Sequence, residues 1–363
     1  MSFLKKIGFF SAFILPILVL AGYYGGGAWN YLTLAFVFVC IPIIDQWIGK
    51  DSENVADTQV SLISEEQYYK LITMSWTFVQ LGMIVWGAYI VAFDTALQRY
   101  EWWGLVLGMM TVTGGIGITV AHELGHKNNP TEQLFAKIIL MTVCYMHFFI
   151  EHNRGHHVHV ATPLDPATSR RNENFYSFWL RSVVGGYRSA WGLEQQRLAK
   201  KQLPAWHWQN AMWAYSFLPL LFCAALTATL SWLKGAWLWE VPVFFFVQSI
   251  LAFTLLEAVN YIEHYGIVRK QLPNGRYERV NQLHSWNANQ LISNFFLFQL
   301  QRHSDHHAFA SRRYQVLRHF DESPQLPFGY PLMILIALVP PLWFALMNPR
   351  LEDWQKQQTA ALL

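Results

Sequence analysis

Long apolar runs, with neither strict alternation nor a one-faced helical period, dominate the pattern along this chain. A membrane-crossing helix needs about 20 largely apolar residues. Six segments meet that length, at about 7–24, 29–48, 72–93, 103–121, 211–232 and 239–262. Two more, 134–150 and 329–347, are shorter or broken by Pro340-Pro341. Hydropathy alone therefore predicts seven or eight spans. Lys5 and Lys6 before the first run resemble the opening of a cleaved signal, but a second apolar segment follows at once, so an uncleaved first span is expected.

The polar positions between these runs decide the count. Nine of the 14 histidines fall into four clusters. They are His122-Glu-Leu-Gly-His126, Glu151-His152-Asn-Arg-Gly-His156-His157, Asn260-Tyr-Ile-Glu263-His264 and His303-Ser-Asp305-His306-His307. If they make one site, all four lie on one membrane face. A full crossing by 134–150 would put His152 on the face opposite His122, so that segment is expected to re-enter or lie at the interface. With the N-terminus inside, the outer loops hold only Arg99 and Lys234, and the other Lys and Arg lie inside or at its border. The expected fold is an all-α membrane protein of six transmembrane helices. A cytoplasmic cap, about 122–210 and 263–328, carries a histidine-rich di-metal site. Segment 329–347 is expected to return to the membrane, and the whole of 1–363 forms one catalytic domain. Pro273-Asn274-Gly275 reads as a tight turn between short extended pieces, 267–272 and 276–280.

Composition agrees with a membrane solvent. Hydrophobic residues make up 53% of the 363 and charged residues only 13%, against about 25% charged in soluble domains. The net charge of +3 shows no basic stripe and excludes nucleic acid as a partner. Cys40, Cys144 and Cys223 sit singly in apolar runs, which excludes a disulfide framework and a thiolate metal site.

The histidine spacing is chemical. Residues three or four apart share a helix face, so His122 with His126, His152 with His156, and His303 with His306 or His307 are each expected to bind one ion together. Adjacent histidines point about 100° apart, so His156-His157 and His306-His307 can each serve two neighbouring ions. Nine ligands suit two ions with four or five imidazoles each. Glu123, Glu151, Glu263 and Asp305 adjoin these histidines and are expected to orient them or balance charge, since a ligating imidazole normally donates its second N–H; a bridging role for one of them stays open. The zinc-protease reading of His122-Glu123-x-x-His126 would leave most of the other histidines unused. His147, His159, His207, His284 and His319 have no partner at ligand spacing and are expected to be structural. Imidazole suits iron, zinc, copper and nickel alike, so spacing does not name the metal.

These same strings resemble the integral-membrane alkane 1-monooxygenases, the rubredoxin-dependent alkane hydroxylases. The resemblance rests on His122–Lys127 (HELGHK), Glu151–Asp165 (EHNRGHHVHVATPLD), Asn260–Gly266 (NYIEHYG), Leu300–His307 (LQRHSDHH) and Arg312–Gln315 (RRYQ), and the histidine boxes are shared more widely with membrane fatty-acid desaturases. Ala310-Ser311 departs from the expected proline followed by Ser or Thr, outside the ligands. The resemblance implies two iron ions held by the nine clustered histidines and O2 as co-substrate. It also implies electrons from rubredoxin, with rubredoxin reductase upstream, and conversion of n-alkanes drawn from the membrane lipids to primary alcohols in a bacterial inner membrane. Without a cysteine pair, this chain is not expected to hold rubredoxin's iron itself. Arg154, Arg170, Arg171, Arg312 and Arg313 are candidates either for docking an acidic donor or for pairing with nearby acids. The alternatives are a related desaturase or aryl-methyl monooxygenase and, in a different class, a histidine-based metal transporter or sensor. Spans nearly free of charge at their centres, Glu257 excepted, count against transport.

Overall fold

Four long apolar helices open the chain: α1 (Lys5–Gly25), α2 (Gly27–Ile48), α3 (Gln67–Phe93) and α4 (Arg99–Gly125). The computed structural model, which describes residues 3–360, continues with α5 (Pro130–Met141), α6 (148–159) and α7 (Phe175–Ala199). Two further apolar helices, α8 (Ala211–Lys234) and α9 (Glu240–His264), bring to six those long and apolar enough to cross a membrane. Short α10 (His303–Ala308) precedes α11 (Tyr330–Ala337) and α12 (Pro340–Ala360). The last two meet at a 119° bend at Pro340-Pro341, where proline cannot continue the preceding helix. Among the described residues, β structure is limited to isolated bridges. One of them, Gln271 with Tyr277, closes the turn at Pro273-Asn274-Gly275, where Gly275 takes a φ of 77°.

Burial ranks the spans. The central window of α4 is 83% buried, against 17–33% for α1, α2 and α8. The middle of the bundle is therefore α4, with α3 and α9 packed around it. Gly114 lets α4 and α9 cross closely: a Cβ there would lie 2.5–3.0 Å from the Ala252 backbone. That crossing sets the end of α4, with His122, beside the end of α9, with His264. Apolar side chains from these helices, among them Trp76, Val112 and Phe244, are fully buried against one another.

The segment after α4 goes into the protein and comes back. α5 starts with Asn129, whose side chain accepts from the amides of Thr131 and Glu132, and with Pro130 at the first helical position. It ends at Met141, and Cys144 then turns the chain with a φ of 53°. α6 leads back to His152, which lies beside His126. Such a turn leaves helix-end carbonyls without partners, a cost bearable in a membrane only where protein supplies the hydrogen bonds. Two glutamines from the spans do so. Gln80 of α3 donates to the Ile139 carbonyl at 3.4 Å and to Thr142 Oγ1 at 2.8 Å. Gln248 of α9 donates to the Thr142 carbonyl at 2.9 Å and accepts from Thr113 Oγ1 at 3.0 Å. Both glutamines are fully buried. Gln248→Leu should therefore destabilise the protein by about 1–2 kcal/mol, read as a lower melting temperature in detergent; an unchanged melt would show that the carbonyl finds another donor.

Candidate metal centre

Four pieces of chain converge at one end of the bundle: the ends of α4 and α9, helix α6 and helix α10. Each presents histidines inward, and the nine clustered histidines divide into two groups. His122, His126, His152, His157 and His306 form one; His156, His264, His303 and His307 form the other. Within each group one ring nitrogen per residue lies within 4.8 Å of all the others. The four clusters are thus one site. His147, His159, His207, His284 and His319 join neither group; His284 lies 3.3 Å from Glu278 and His319 2.9 Å from Asp321.

The partition corrects one spacing argument. His152 and His156, four residues apart, were expected to share an ion, but they fall in different groups. Residues 152–156 form a π-helical turn. Its i→i+5 register brings His152 and His157 onto one face, with Nε2 atoms 3.1 Å apart, and swings His156 to the other group. In α10 the ordinary register holds. His303 and His307 share a group, with Nε2 atoms 2.9 Å apart, and His306 faces the first group, 3.1 Å from His157 Nε2.

The donor set fits metal ions. His156 Nε2 lies 3.3 Å from His307 Nε2, and His264 Nε2 lies 3.2 Å from His303 Nε2. Two imidazole nitrogens held about 2.1 Å from one ion are separated by roughly 3 Å. Lone pairs facing each other at that distance repel unless a proton or a cation sits between them. Protons are disfavoured: burial first, then neighbouring histidines, push His126, His152, His157, His303, His306 and His307 well below the ordinary histidine value. The neutral ring is the metal-binding form. The Nε2 atoms of His122 and His126 are moreover buried with no hydrogen-bond partner.

The adjoining acids behave differently from one another. Glu263 Oε2 lies 3.2 Å from His303 Nε2, and its Oε1 accepts from the Tyr330 hydroxyl at 2.8 Å. Glu123 instead pairs with Lys127 at 2.9 Å, and Asp305 accepts both its Arg312 hydrogen bonds and the Arg318 amide. Side chains next to an inward histidine point about 100° away from it, so these two acids face the cap's cations. Glu151 turns to neither cation nor histidine: its Oε1 is buried without a partner. The carboxylate that does orient a histidine is Asp165, which adjacency did not single out. Its Oδ2 lies 2.9 Å from His156 Nδ1 and accepts from Thr168 Oγ1 at 2.6 Å. Burial pushes this carboxyl up, but His156 and the hydrogen bonds from Thr168 and Ala167 outweigh it and hold it down to about 2. An ionised Asp165 accepts a hydrogen bond from the Nδ1–H of His156, the tautomer that leaves Nε2 free for an ion.

Of the candidate docking arginines, four already have acidic partners. Arg154 pairs with Glu194 at 2.8 Å, Arg313 with Glu132 at 2.9 Å, Arg312 with Asp305, and Arg171 with Glu352. Asp165→Asn should lower metal affinity in the four-histidine group about 10- to 100-fold, measured by competition with a chromogenic chelator. Unchanged affinity would mean that the His156 tautomer is fixed by something else.

Comparison with known proteins places this geometry. The Fatty acid desaturase family model matches residues 99–337, from the start of α4 to the end of α11. Alkane 1-monooxygenase 2 of Pseudomonas aeruginosa is 47% identical over 90% of this chain and 85% of its own length. Alkane 1-monooxygenase 2 of Alcanivorax borkumensis is 41% identical over 97% of this chain and 92% of its own. The xylene/toluene monooxygenase hydroxylase component of Pseudomonas putida is 28% identical over 95% of this chain and 89% of its own. With six membrane-length helices around two groups of inward-facing histidines, and relatives of this closeness along nearly its whole length, the chain belongs to the alkane 1-monooxygenase family.

Proposed function

We propose that this protein is a di-iron monooxygenase that hydroxylates the terminal methyl of n-alkanes to primary alcohols, with O2 and electrons from rubredoxin. The observation that carries the reading is an apolar cavity of about 70 Å³ that ends on His122, His152 and His303, and so touches both histidine groups. Its walls include Phe38, Ile118, Leu255, Val259 and Ile334, from α2, α4, α9 and α11. Such walls bind a hydrocarbon by burial alone, and a substrate lying with its end at the histidines presents its terminal carbon first. Position, not chemical reactivity, then selects the terminal carbon.

Five histidines would hold one iron and four the other, with Asp165 fixing the His156 tautomer. Once bound, the irons supply the redox chemistry that lets two external electrons activate O2. The protein's share is to keep the hydrocarbon dry and aimed, and Phe148, stacked on the His152 ring at 4.6 Å, closes one wall of the cavity beside the site. The distribution of Lys and Arg supports a cytoplasmic site, where a soluble donor such as rubredoxin, fed by its reductase, reaches the cap. Placement in a bacterial inner membrane follows from the same reading.

An aryl-methyl substrate is the second reading, because the xylene/toluene enzyme is a relative along 95% of the chain. Purified, iron-loaded protein supplied with rubredoxin, its reductase, O2 and either octane or p-xylene separates the two. 1-Octanol as the dominant product supports the proposal; no alcohol from octane, or preferred oxidation of xylene, contradicts it. Gly115 lines the cavity on α4, where an added Cβ meets only Leu255 at 3.5 Å. It lies seven residues before His122, roughly 10 Å along a helix. Gly115→Leu should shift the product profile toward shorter alkanes, checked by gas chromatography of mixed-alkane incubations.

A further inference from the structure

A second, smaller chamber touches the histidines from another side, and most of the residues around it carry polar groups. It lies beside His152 and His156, and it shares only Phe148, His152 and Asn260 with the apolar cavity. Its volume of about 10 Å³ is room for a single water. The turn before α6 contributes Tyr145 and His147, α6 contributes Glu151, and α7 contributes Ser182. From α9 comes Glu257, 2% exposed, seven residues before His264.

Glu257 is an expensive residue to keep in a spanning helix. It makes no ion pair with Lys or Arg among the described residues, and no Lys or Arg lines the chamber. Its Oε1 accepts from the Tyr145 hydroxyl at 2.7 Å, and Oε2 lies 3.4 Å from Asn260 Nδ2. Glu151, which also lines the chamber, lies close enough to feel the charge of both Glu257 and Asp165. Ser182 hydrogen-bonds the same carboxyl, so three side chains from three parts of the chain hold Glu257 in the chamber. The His147 ring lies 4.4 Å from that of Tyr145 and 5.3 Å from that of Tyr187, which is 39% exposed on α7.

We propose that Glu257, with Tyr145 and one water in this chamber, supplies the protons that O2 reduction consumes at the histidine site. The inference rests on the monooxygenase reading. That reaction converts RH, O2, two electrons and two protons to ROH and H2O. The O–O bond and one C–H bond break, a C–O bond and new O–H bonds form, the alkane loses two electrons, and O2 takes up four. The two external electrons come from the protein donor. The two protons must reach a site whose other flank is a dry hydrocarbon cavity, and the polar chamber provides a separate path. Phe148, His152 and Asn260 stand between the two spaces, and Asn260 bonds the Glu257 carboxyl on the polar side.

The test uses the full-length, metal-loaded protein. Redox-difference infrared spectra in H2O and D2O should show a protonated-carboxyl C=O band that shifts in D2O. That band should vanish in Glu257→Gln with metal content unchanged. In single turnovers of pre-reduced enzyme with octane and O2, Glu257→Gln should form alcohol at least tenfold more slowly, with a larger solvent isotope effect, and Glu257→Asp should restore part of the rate. A band that persists in Glu257→Gln, an unchanged turnover rate, or loss of metal from both variants would overturn the proposal. If wild-type protein makes no alcohol yet the band behaves as described, the proton path stands and the hydroxylation reading fails.

Discussion

Ring nitrogens of inward-facing histidines, aimed at one another at 2.9–3.3 Å, repel unless a proton or a cation sits between them. Everything around the site serves to hold that arrangement. α4, the most buried span, crosses α9 at Gly114 and sets two histidine-bearing helix ends side by side. Segment 130–159 enters and returns so that its histidines reach the same end, and two buried glutamines satisfy the turn this creates. The cap closes the other side with α10, anchored through Asp305 to Arg312 and the Arg318 amide. The metal chemistry thus explains an otherwise costly collection of polar groups at the end of an apolar bundle.

The division of labour among buried polar residues follows from the same constraint. Asp165, with its carboxyl held low, is bonded to His156 Nδ1, the contact that would fix a tautomer. Glu263 bridges Tyr330 and His303 and also borders the apolar cavity. Glu257 borders only the polar chamber and bonds no histidine. Two compartments, one walled by apolar side chains and one by carboxyl, hydroxyl and imidazole groups, meet at His152.

Much of this was legible in the residues. Apolar run length located six membrane helices, and the demand that four histidine clusters share a face explained why 134–150 could not cross. Less legible was the pairing within the site. The π-turn at residues 152–156 changes which histidines face together, and a hydrogen-bond register is not written in residue spacing. Adjacency also misled for the acids: Glu123 and Asp305 sit beside histidines in sequence, but helical geometry turns them toward Lys127 and Arg312. Asp165 lies nine residues beyond His156 and reaches it only because the chain folds back through the turn at 160–168, which no periodicity announces.

The most direct measurement is the number of metal ions per chain in purified protein and in variants that remove one histidine from each group. About two ions are expected in the wild type, and about one in each of His126→Ala and His264→Ala. A single ion in the wild type, or two ions retained in either variant, would contradict a centre divided into groups of five and four histidines.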